Sequence, residues 1–263
     1  METLDLTYLN WSKIRESSGT AGSYYKSYSY SNGKKVYYKL SFFDSENELF
    51  GYESINEIIA MNVLRELNYN YLEYKLINGL ININGKVYNT FLTSSLDFKK
   101  ANESKITLEN FYEGMKKDNE PIIDFCIRFG FIEEIYHMII VDYIICNRDR
   151  HGANIEVLYN KNTKTYRLAP LYDHGLSLLS PMYKDSDIRN YDIKKEVRVN
   201  SYIGCDNLLK NLDLVPIEYF PKKLDIAKVF AGFDFDNLYL RKAREIVEWR
   251  WMALESIRDK RQY

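Results

Sequence analysis

The stretch Cys146-Asn147-Arg148-Asp149-Arg150-His151-Gly152-Ala153-Asn154 directly follows an apolar segment that ends in Ile144 and Ile145. It holds an acid, two arginines, a histidine and two asparagines, whereas a turn needs only one or two such residues. This surplus of polar groups at the end of a hydrophobic segment indicates a chemical role for the stretch.

The composition is that of an ordinary globular chain. Of its 263 residues, 46% are hydrophobic and 28% charged, which suffices for one large domain or two lobes with a sizeable core. The formal net charge of -1 does not favour a general nucleic-acid-binding or membrane-binding surface. No apolar run approaches the ~18–20 residues of a membrane span, and the N-terminus lacks the basic start and apolar core of a secretory signal. We therefore expect a cytoplasmic location.

The three cysteines, Cys126, Cys146 and Cys205, fit neither a disulfide framework nor a zinc site, so we interpret them as reduced thiols.

The first hundred residues predict strands with one helix. Two pairs of segments flank Asn-Gly dipeptides, which favour the positive φ of tight hairpin turns. The first predicted hairpin joins Ser23–Tyr30 to Lys34–Ser41, and the second joins Leu72–Ile83 to Lys86–Thr93. Between them, apolar residues at helical spacing predict a helix over Tyr52–Asn68.

Beyond about Ser95 the pattern changes to helices. The predicted elements are a helix beginning at Pro121, helices over Phe131–Ile145 and Asn237–Arg258, and short strands at Ile155–Tyr159 and Tyr166–Leu168. We therefore predict an α+β protein, with a small β-rich N-lobe over residues 1–95 and a larger helical C-lobe over residues 96–263.

Arg148, Asp149 and Asn154 have the spacing R-D-x-x-x-x-N of the catalytic loop of protein kinases. In that chemistry the aspartate accepts the proton of the substrate hydroxyl, and the asparagine holds a magnesium ion. The segment Asp173-His174-Gly175 follows and has the D-x-G form of a magnesium-binding aspartate. Phosphoryl transfer requires such parts because its catalysis consists mainly of positioning and charge neutralisation.

Three upstream features fit the same chemistry. Val36-Tyr37-Tyr38-Lys39 has the form V-x-x-K on a hairpin strand, from which the lysine can reach the phosphates of a nucleotide. Before it, Ser18-Gly19-Thr20-Ala21-Gly22-Ser23 is a turn of small residues whose backbone N–H groups can face phosphate oxygens. Glu53 and Glu57 lie four residues apart on one helix face, and either can hold the lysine in place. Each of these features is common in proteins when it occurs alone. Their order along the chain, together with the two motifs, favours a catalytic role for Asp149, Asn154 and Asp173.

The sequence also departs from ordinary protein kinases. Asn147 stands where H-R-D has its histidine, His174 stands where D-F-G has its phenylalanine, and no A-P-E motif follows. The segments Asp142–Asn154 and Leu168–Asp173 instead resemble the HipA-like serine/threonine kinases, in particular their stand-alone, CtkA-like branch. They are similar to that family's N-x-D-x-H-x-x-N catalytic loop and its P-x-x-D metal site. The resemblance spans roughly residues 17 to 258 and is specific only around residues 142–175.

This resemblance implies a two-lobed protein-kinase-like fold, the use of ATP with Mg²⁺, and the phosphorylation of serine or threonine in proteins. It also implies autophosphorylation, for some members on a serine of the phosphate loop. The segment Asn56–Met61 resembles the family's helix, which favours Glu57 over Glu53 as the partner of Lys39. The predicted site residues are Asp149 for catalysis; Gly19, Thr20, Ala21, Gly22, Ser23, Lys39, Glu57 and His151 for ATP binding; Asn154 and Asp173 for the metal; and Ser17, Ser18, Thr20 and Ser23 as candidates for autophosphorylation.

Four further polar residues lie in or near the loop. His151 either contacts phosphate or metal, or braces the loop by hydrogen bonds to backbone carbonyls, and we favour bracing while keeping it in the predicted ATP site. Asp142 lies on an apolar stripe, which predicts a buried acid that anchors the loop. Arg148 and Arg150 can neutralise phosphate or remain solvated, and the sequence does not decide between these roles.

The sequence does not name the protein substrate. Larger HipA-like members carry an extra N-terminal subdomain and pair with a DNA-binding antitoxin; the chain lacks room for that subdomain, so an antitoxin-like partner stays open. We expect no direct contact with nucleic acid or membrane. Phosphatidylinositol kinases are an alternative, because they also use D-R-H-x-x-N followed by D-x-G, but the near-neutral composition does not favour a membrane-facing surface. A non-catalytic nucleotide-binding module is less favoured, because no core catalytic part is missing.

Overall fold

The N-terminal lobe is built on strands. The computed structural model describes residues 2–14, 21–44, 46, 49–233 and 236–261. The strands of this lobe are β1 (Thr3–Asp5), β2 (Ser12–Ile14), β3 (Ala21–Ser31), β4 (Lys34–Leu40), β5 (Phe43–Asp44), β6 (Leu49–Phe50), β7 (Tyr74–Ile83) and β8 (Lys86–Leu96). Six of them form one sheet in the order β1-β7-β8-β4-β3-β2, while β5 and β6 pair with each other.

Both predicted hairpins are confirmed, and both turn on an Asn-Gly dipeptide. Asn32 and Gly33 have φ of 50° and 73°, and Asn84 and Gly85 have φ of 53° and 84°. Two consecutive positive φ values are those of the tight turn that matches the twist of the flanking strands. The register of the first hairpin places Lys26 of β3 opposite Lys39 of β4, so the two lysine side chains lie on the same face of the sheet.

Helix α1 (Glu53–Glu66) occupies the predicted segment and packs between the two lobes. Its apolar residues Ile59 and Val63 belong to the large core of the C-terminal lobe. Its polar residues Glu53, Asn56 and Glu57 are buried as well. A helix that buries polar side chains must provide them with partners, and these partners form the candidate site described below.

The C-terminal lobe is mainly helical. Its helices are α2 (Leu108–Met115), α3 (Ile122–Arg128), α4 (Ile132–Ile144), α5 (Asp185–Asn190), α6 (Leu208–Asn211), α7 (Ile226–Val229) and α8 (Leu238–Arg261), and its strands are β9 (Glu103–Thr107), β10 (Asp149–Arg150), β11 (Glu156–Asn160), β12 (Thr165–Leu168) and β13 (Asn200–Ser201). Helix α4 supplies most of its apolar residues to the core, including Ile135, Ile140 and Ile144, which are fully buried. The helices predicted at Pro121, Phe131–Ile145 and Asn237–Arg258 are present, with shifts of one to three residues at their ends.

Seven of the described strands were not predicted from the sequence: β1, β2, β5, β6, β9, β10 and β13. Strand β9 lies in the region that we expected to be helical, where it pairs antiparallel with β11 and completes a three-stranded sheet. Strands β1 and β2 pair with β7 and β3. All seven have at most five residues, too few for a clear local periodicity, and β1, β9 and β10 pair with strands that are distant in sequence.

The predicted phosphate turn needs a further correction. Ala21, Gly22 and Ser23 belong to strand β3, where Ala21 lies opposite Ile14 of β2. Ser17, Ser18, Gly19 and Thr20 fall outside the described residues, so the predictions made for them remain predictions. The proposed lobe boundary between residues 95 and 96 also remains a prediction. Among the described residues, no helix is both long enough and apolar enough to cross a membrane.

Candidate active site

An open cleft of about 450 Å³ brings residues of both lobes together. It is lined by Tyr24, Lys26, Asp149, His151, Asn154, Asp173 and Leu176. Four of these residues were predicted from the sequence, whereas Leu176 and the two strand residues Tyr24 and Lys26 were not. Both lie on strand β3 two positions apart, so they share a face of the sheet, and Lys26 lies opposite Lys39 in the register. The position of Lys26 opposite Lys39 in the predicted hairpin is the signal from which these two residues could have been identified.

Lys39 joins three elements. Its ammonium nitrogen lies 2.9 Å from Oε1 of Glu57 on helix α1 and contacts Oδ1 of Asp173. Burial disfavours the charged lysine, but Asp173 and Glu57 outweigh it, so the pKa of Lys39 is raised well above its ordinary value. Burial likewise disfavours the charged Glu57, yet Lys39 and a hydrogen bond to His174 hold the pKa of Glu57 below its ordinary value. The arrangement is therefore a partly buried set of charges in which the cation is shared by two carboxylates.

Glu53, the other candidate partner of the lysine, holds a different segment. Its Oε2 accepts a hydrogen bond from the backbone N–H of Phe42 at 3.0 Å. Its Oε1 accepts one from the hydroxyl of Tyr183 at 2.6 Å, and the Tyr183 ring stacks on Phe42 with ring centres 4.9 Å apart. Of the two glutamates, the one favoured by the family resemblance is thus the one at Lys39, while Glu53 ties the chain beyond the D-x-G motif to the N-terminal lobe.

Asp173 has a backbone conformation that few residues adopt. Its φ is 60°, in the left-handed region, and such conformations are concentrated at functional sites. Burial opposes ionisation of its side chain, but Lys39 and Lys26 lower the pKa of Asp173 below the ordinary range, so the carboxylate is charged. A charged oxygen donor facing an open cleft suits a hard cation such as Mg²⁺.

The rest of the D-x-G segment is bound to helix α1. The buried His174 donates its backbone N–H to Oε2 of Glu57 at 2.9 Å. The side-chain amide of Asn56 donates to the carbonyl oxygens of Gly175 and Ser177 at 2.8 and 3.0 Å. Its Oδ1 accepts a hydrogen bond from the hydroxyl of Tyr239 on helix α8 at 2.7 Å. Asn56 therefore joins α1, the D-x-G segment and the C-terminal helix.

Asp142 is buried at the end of helix α4, as predicted, and it anchors the catalytic loop through Arg150. Its two carboxylate oxygens each accept a hydrogen bond at 2.9 Å from Arg150, and Asn147 donates to Oδ1 at 2.8 Å. Arg150 also donates to the carbonyl oxygen of Tyr172 at 2.9 Å. Neither role considered for Arg150 is therefore correct. Its guanidinium is buried and its donors are occupied by this bidentate pair and by backbone.

Arg148 has a similar structural role on the next segment. It donates to the carbonyl oxygen of Leu178 at 2.7 Å, to that of Ser180, and to the hydroxyl of Tyr191 at 3.0 Å. It is therefore partly buried, with its donors bound to backbone and a hydroxyl, and it does not line the cleft. Arg148 and Arg150 therefore hold the chain segments next to the loop. Among the described residues, positive charge at the cleft comes from Lys26, which lines it, and from Lys39, which contacts Asp173.

Asp149 and Asn154 lie at the mouth of the cleft. The amide nitrogen of Asn154 donates to the backbone carbonyl of Asp149 at 3.0 Å, and among the described residues its Oδ1 has no hydrogen-bond donor. His151 braces the loop as predicted, but through a different bond: its Nδ1 accepts the backbone N–H of Ala153 at 3.2 Å instead of donating to a carbonyl. Oδ1 of Asp149 accepts a hydrogen bond at 3.0 Å from Asn200, a residue that no sequence motif pointed to.

The donor set fits the group that the motifs imply. Asp173 offers a charged oxygen and Asn154 a neutral one, and both belong to the class of ligand that Mg²⁺ prefers. Lys26 lines the cleft and Lys39 contacts Asp173, so positive charge is present beside the metal-ligand candidates, where a polyphosphate would need it. The cleft can therefore bind an anionic, metal-associated ligand beside a carboxylate, Asp149, that is able to accept a proton.

No protein-family model matches the chain, and no curated protein matches its sequence. Among solved structures, the chain is similar to the Helicobacter pylori proinflammatory kinase CtkA, with a TM-score of 0.64 and 16% sequence identity over 99% of this chain and 98% of that one. It also matches a chain of the Shewanella oneidensis MR-1 toxin–antitoxin complex of HipA, HipB and operator DNA, with a TM-score of 0.43 and 13% identity over 89% of this chain and 57% of that one. From end to end, the chain thus has the mixed α+β, kinase-like fold of the Helicobacter protein.

Proposed function

We propose that this chain is a HipA-like protein kinase that transfers the γ-phosphate of ATP, with Mg²⁺, to a serine or threonine hydroxyl. The observation that carries the proposal is the Lys39–Glu57 pair at 2.9 Å, which holds the lysine beside Asp173 in the cleft that also contains Asp149. Kinase catalysis requires such a lysine–glutamate pair together with a metal-binding aspartate. The kinase-like fold supports the same assignment.

Each residue has a distinct role in this proposal. Lys39 and Lys26 bind the nucleotide phosphates, and Asn154 and Asp173 hold the magnesium ion, which neutralises phosphate charge when bound. Asp149 accepts the proton of the attacking hydroxyl. As that oxygen forms a bond to the γ-phosphorus, the bond from this phosphorus to the bridging oxygen breaks, and ADP leaves with the electron pair.

The test uses the full chain with γ-labelled ATP, Mg²⁺ and protein extract as acceptor, followed by mass spectrometry of the labelled products. We expect label on serine or threonine, and the Asp149→Asn variant should bind ATP normally but transfer phosphate roughly 10²–10⁴-fold more slowly. Phosphatidylinositol vesicles serve as a second acceptor. Label found on lipid and not on protein would favour a lipid kinase, and full activity in Asp149→Asn would refute the assigned mechanism.

A further inference from the structure

The carboxylate of Asp149 has a different environment at each oxygen. Oδ1 accepts a hydrogen bond from the side-chain amide of Asn200 at 3.0 Å. Oδ2 lies 3.6 Å from Nε2 of His151, which is longer than a hydrogen bond. Because Nδ1 of His151 accepts the N–H of Ala153, a neutral ring carries its proton on Nε2, on the side of Oδ2. One oxygen is therefore held, and the other is left for an incoming group.

The backbone sets the position of Asn200 independently of its side chain. Strands β10 and β13 run parallel, with Asp149 opposite Asn200. The backbone N–H of Asn200 donates to the carbonyl oxygen of Arg148 at 2.8 Å, and that of Tyr202 donates to Arg150 at 2.9 Å. The amide side chain thus reaches Asp149 from a fixed point, 51 residues further along the chain.

We propose that Asn200 is a positioning residue for the phosphoryl transfer, an inference that rests on the proposed function. Its N–H binds Oδ1 and fixes the rotation of the Asp149 carboxylate, so that Oδ2 faces the acceptor hydroxyl. A free carboxylate at a partly exposed position would rotate between several orientations, and only some of them place an oxygen in line for the proton. A misplacement of about 1 Å in a reacting group can cost about 100-fold in rate.

Two substitutions at this position separate hydrogen bonding from shape. Asn200→Ala removes the amide, whereas Asn200→Asp keeps the shape but offers only acceptors and a negative charge to Asp149. Ser201→Ala is the matched control, because Ser201 lies on the same short strand and its hydroxyl donates to the carbonyl oxygen of Ile203, at 2.8 Å. The backbone hydrogen bonds between β10 and β13 are retained in all three variants.

We expect Asn200→Ala and Asn200→Asp to lower kcat about 10- to 100-fold with the KM for ATP unchanged, while Ser201→Ala keeps the wild-type rate. The side-chain amide signal of Asn200 in a nitrogen-15 NMR spectrum should also move when Asp149 is replaced by alanine. Wild-type kcat in Asn200→Asp, an equal loss in Ser201→Ala, or an amide signal that does not move would overturn the inference. A wild-type chain that transfers no phosphate would overturn the proposed function, whereas an active chain that is insensitive to Asn200 would overturn only this inference.

Discussion

Asp142 and Arg150 form a buried bidentate pair, with both nitrogen–oxygen distances at 2.9 Å. The pair joins the end of helix α4 to the predicted catalytic loop, and through the carbonyl of Tyr172 it also reaches the D-x-G segment. The loop is therefore positioned by a charge pair that contacts none of the reacting groups.

Removing one member of this pair should destabilise the fold severely. Arg150→Met leaves the Asp142 carboxylate buried without its partner, and we expect it to lower the free energy of unfolding by about 3–5 kcal/mol. Urea denaturation followed by circular dichroism measures this loss. Arg198→Met is the control, because the pair of Arg198 with Asp206 is exposed and should contribute under about 1 kcal/mol. Equal small losses in the two variants would show that the Asp142–Arg150 pair does not hold the loop.

The metal site should appear in thermal stability. Ligand binding stabilises only the folded state, by about 2.7 kcal/mol at a hundredfold excess over the Kd. If Asp173 holds magnesium, the Asp173→Asn variant should lose most of the extra melting-temperature shift that Mg²⁺ adds to ATP. Differential scanning fluorimetry with ATP alone, and with ATP and Mg²⁺, separates the two contributions. Identical shifts in variant and wild type would remove Asp173 from the metal site.

The partner of Lys39 should control use of the nucleotide. Glu57→Gln keeps the shape of the side chain but removes the charge that holds the lysine, and we expect kcat/KM for ATP to fall roughly 10- to 100-fold. Glu66→Gln is the matched control on the same helix, since Glu66 lies 3.6 Å from Lys228 and far along the helix from the cleft. A similar loss in both variants would point to a general effect on helix α1.

The small sheet of the C-terminal lobe should respond to acid. The Arg167 side chain donates to both carboxylate oxygens of Glu103, at 2.9 and 2.8 Å, and these hydrogen bonds hold the pKa of Glu103 below its ordinary value of 4.5. A lowered pKa in the folded state means that the stabilisation is complete above that ordinary value and is lost as the pH falls through the folded-state pKa.

We therefore expect Glu103→Gln to be less stable than wild type by about 1–3 kcal/mol at neutral pH, with a smaller difference in acid. Urea unfolding at several pH values measures the difference. Glu113→Gln, at an exposed pair with Lys116, should change little at any pH. A wild-type advantage that grows on acidification would contradict the assignment.

Autophosphorylation at Ser17, Ser18, Thr20 or Ser23 remains a prediction from the sequence. A phosphate there adds about -1.5 to -2 charge. Since Arg148 and Arg150 are occupied by other contacts, the added charge would compete with ATP for Lys39 and so lower ATP affinity. Phosphosite mapping after self-incubation, with Asp149→Asn as the inactive control, tests the sites. Phosphorylation only elsewhere, or unchanged ATP affinity in the modified form, would contradict the prediction.

The parts of the fold that follow from local chemistry could be read from the sequence. The two Asn-Gly hairpins and helix α1 are set by turn residues and by helical spacing over short stretches. The three residues Asp149, Asn154 and Asp173, which lie in one cleft, could be selected as candidate site residues because one loop and one turn fix their spacing. Strand β9 was missed because its partner, β11, lies some fifty residues further on.

Residues whose roles depend only on tertiary contacts could not be identified from the sequence. Asn200 lies in an irregular connection with no motif around it, and its contact with Asp149 depends on a two-residue parallel pair of strands. For Arg150 the sequence left a phosphate-neutralising and a solvated role open, because nothing local shows that its neighbour in space is Asp142, eight positions earlier. In both cases the decisive partner lies on a different element.

The side chain of Asn56 also determines which hydrogen bonds must break when the D-x-G segment moves. The Asn56 amide, on helix α1, binds the carbonyls of Gly175 and Ser177 and the hydroxyl of Tyr239, so displacement of the D-x-G segment would break two hydrogen bonds to a side chain that helix α8 also holds. Amide hydrogen exchange in these three segments should then report a single cooperative opening. A small molecule that needs the D-x-G segment displaced would have to break these two hydrogen bonds and leave the buried Asn56 amide group without its acceptors. Selective inhibitors of this chain are therefore to be sought among compounds that bind with this segment left in place.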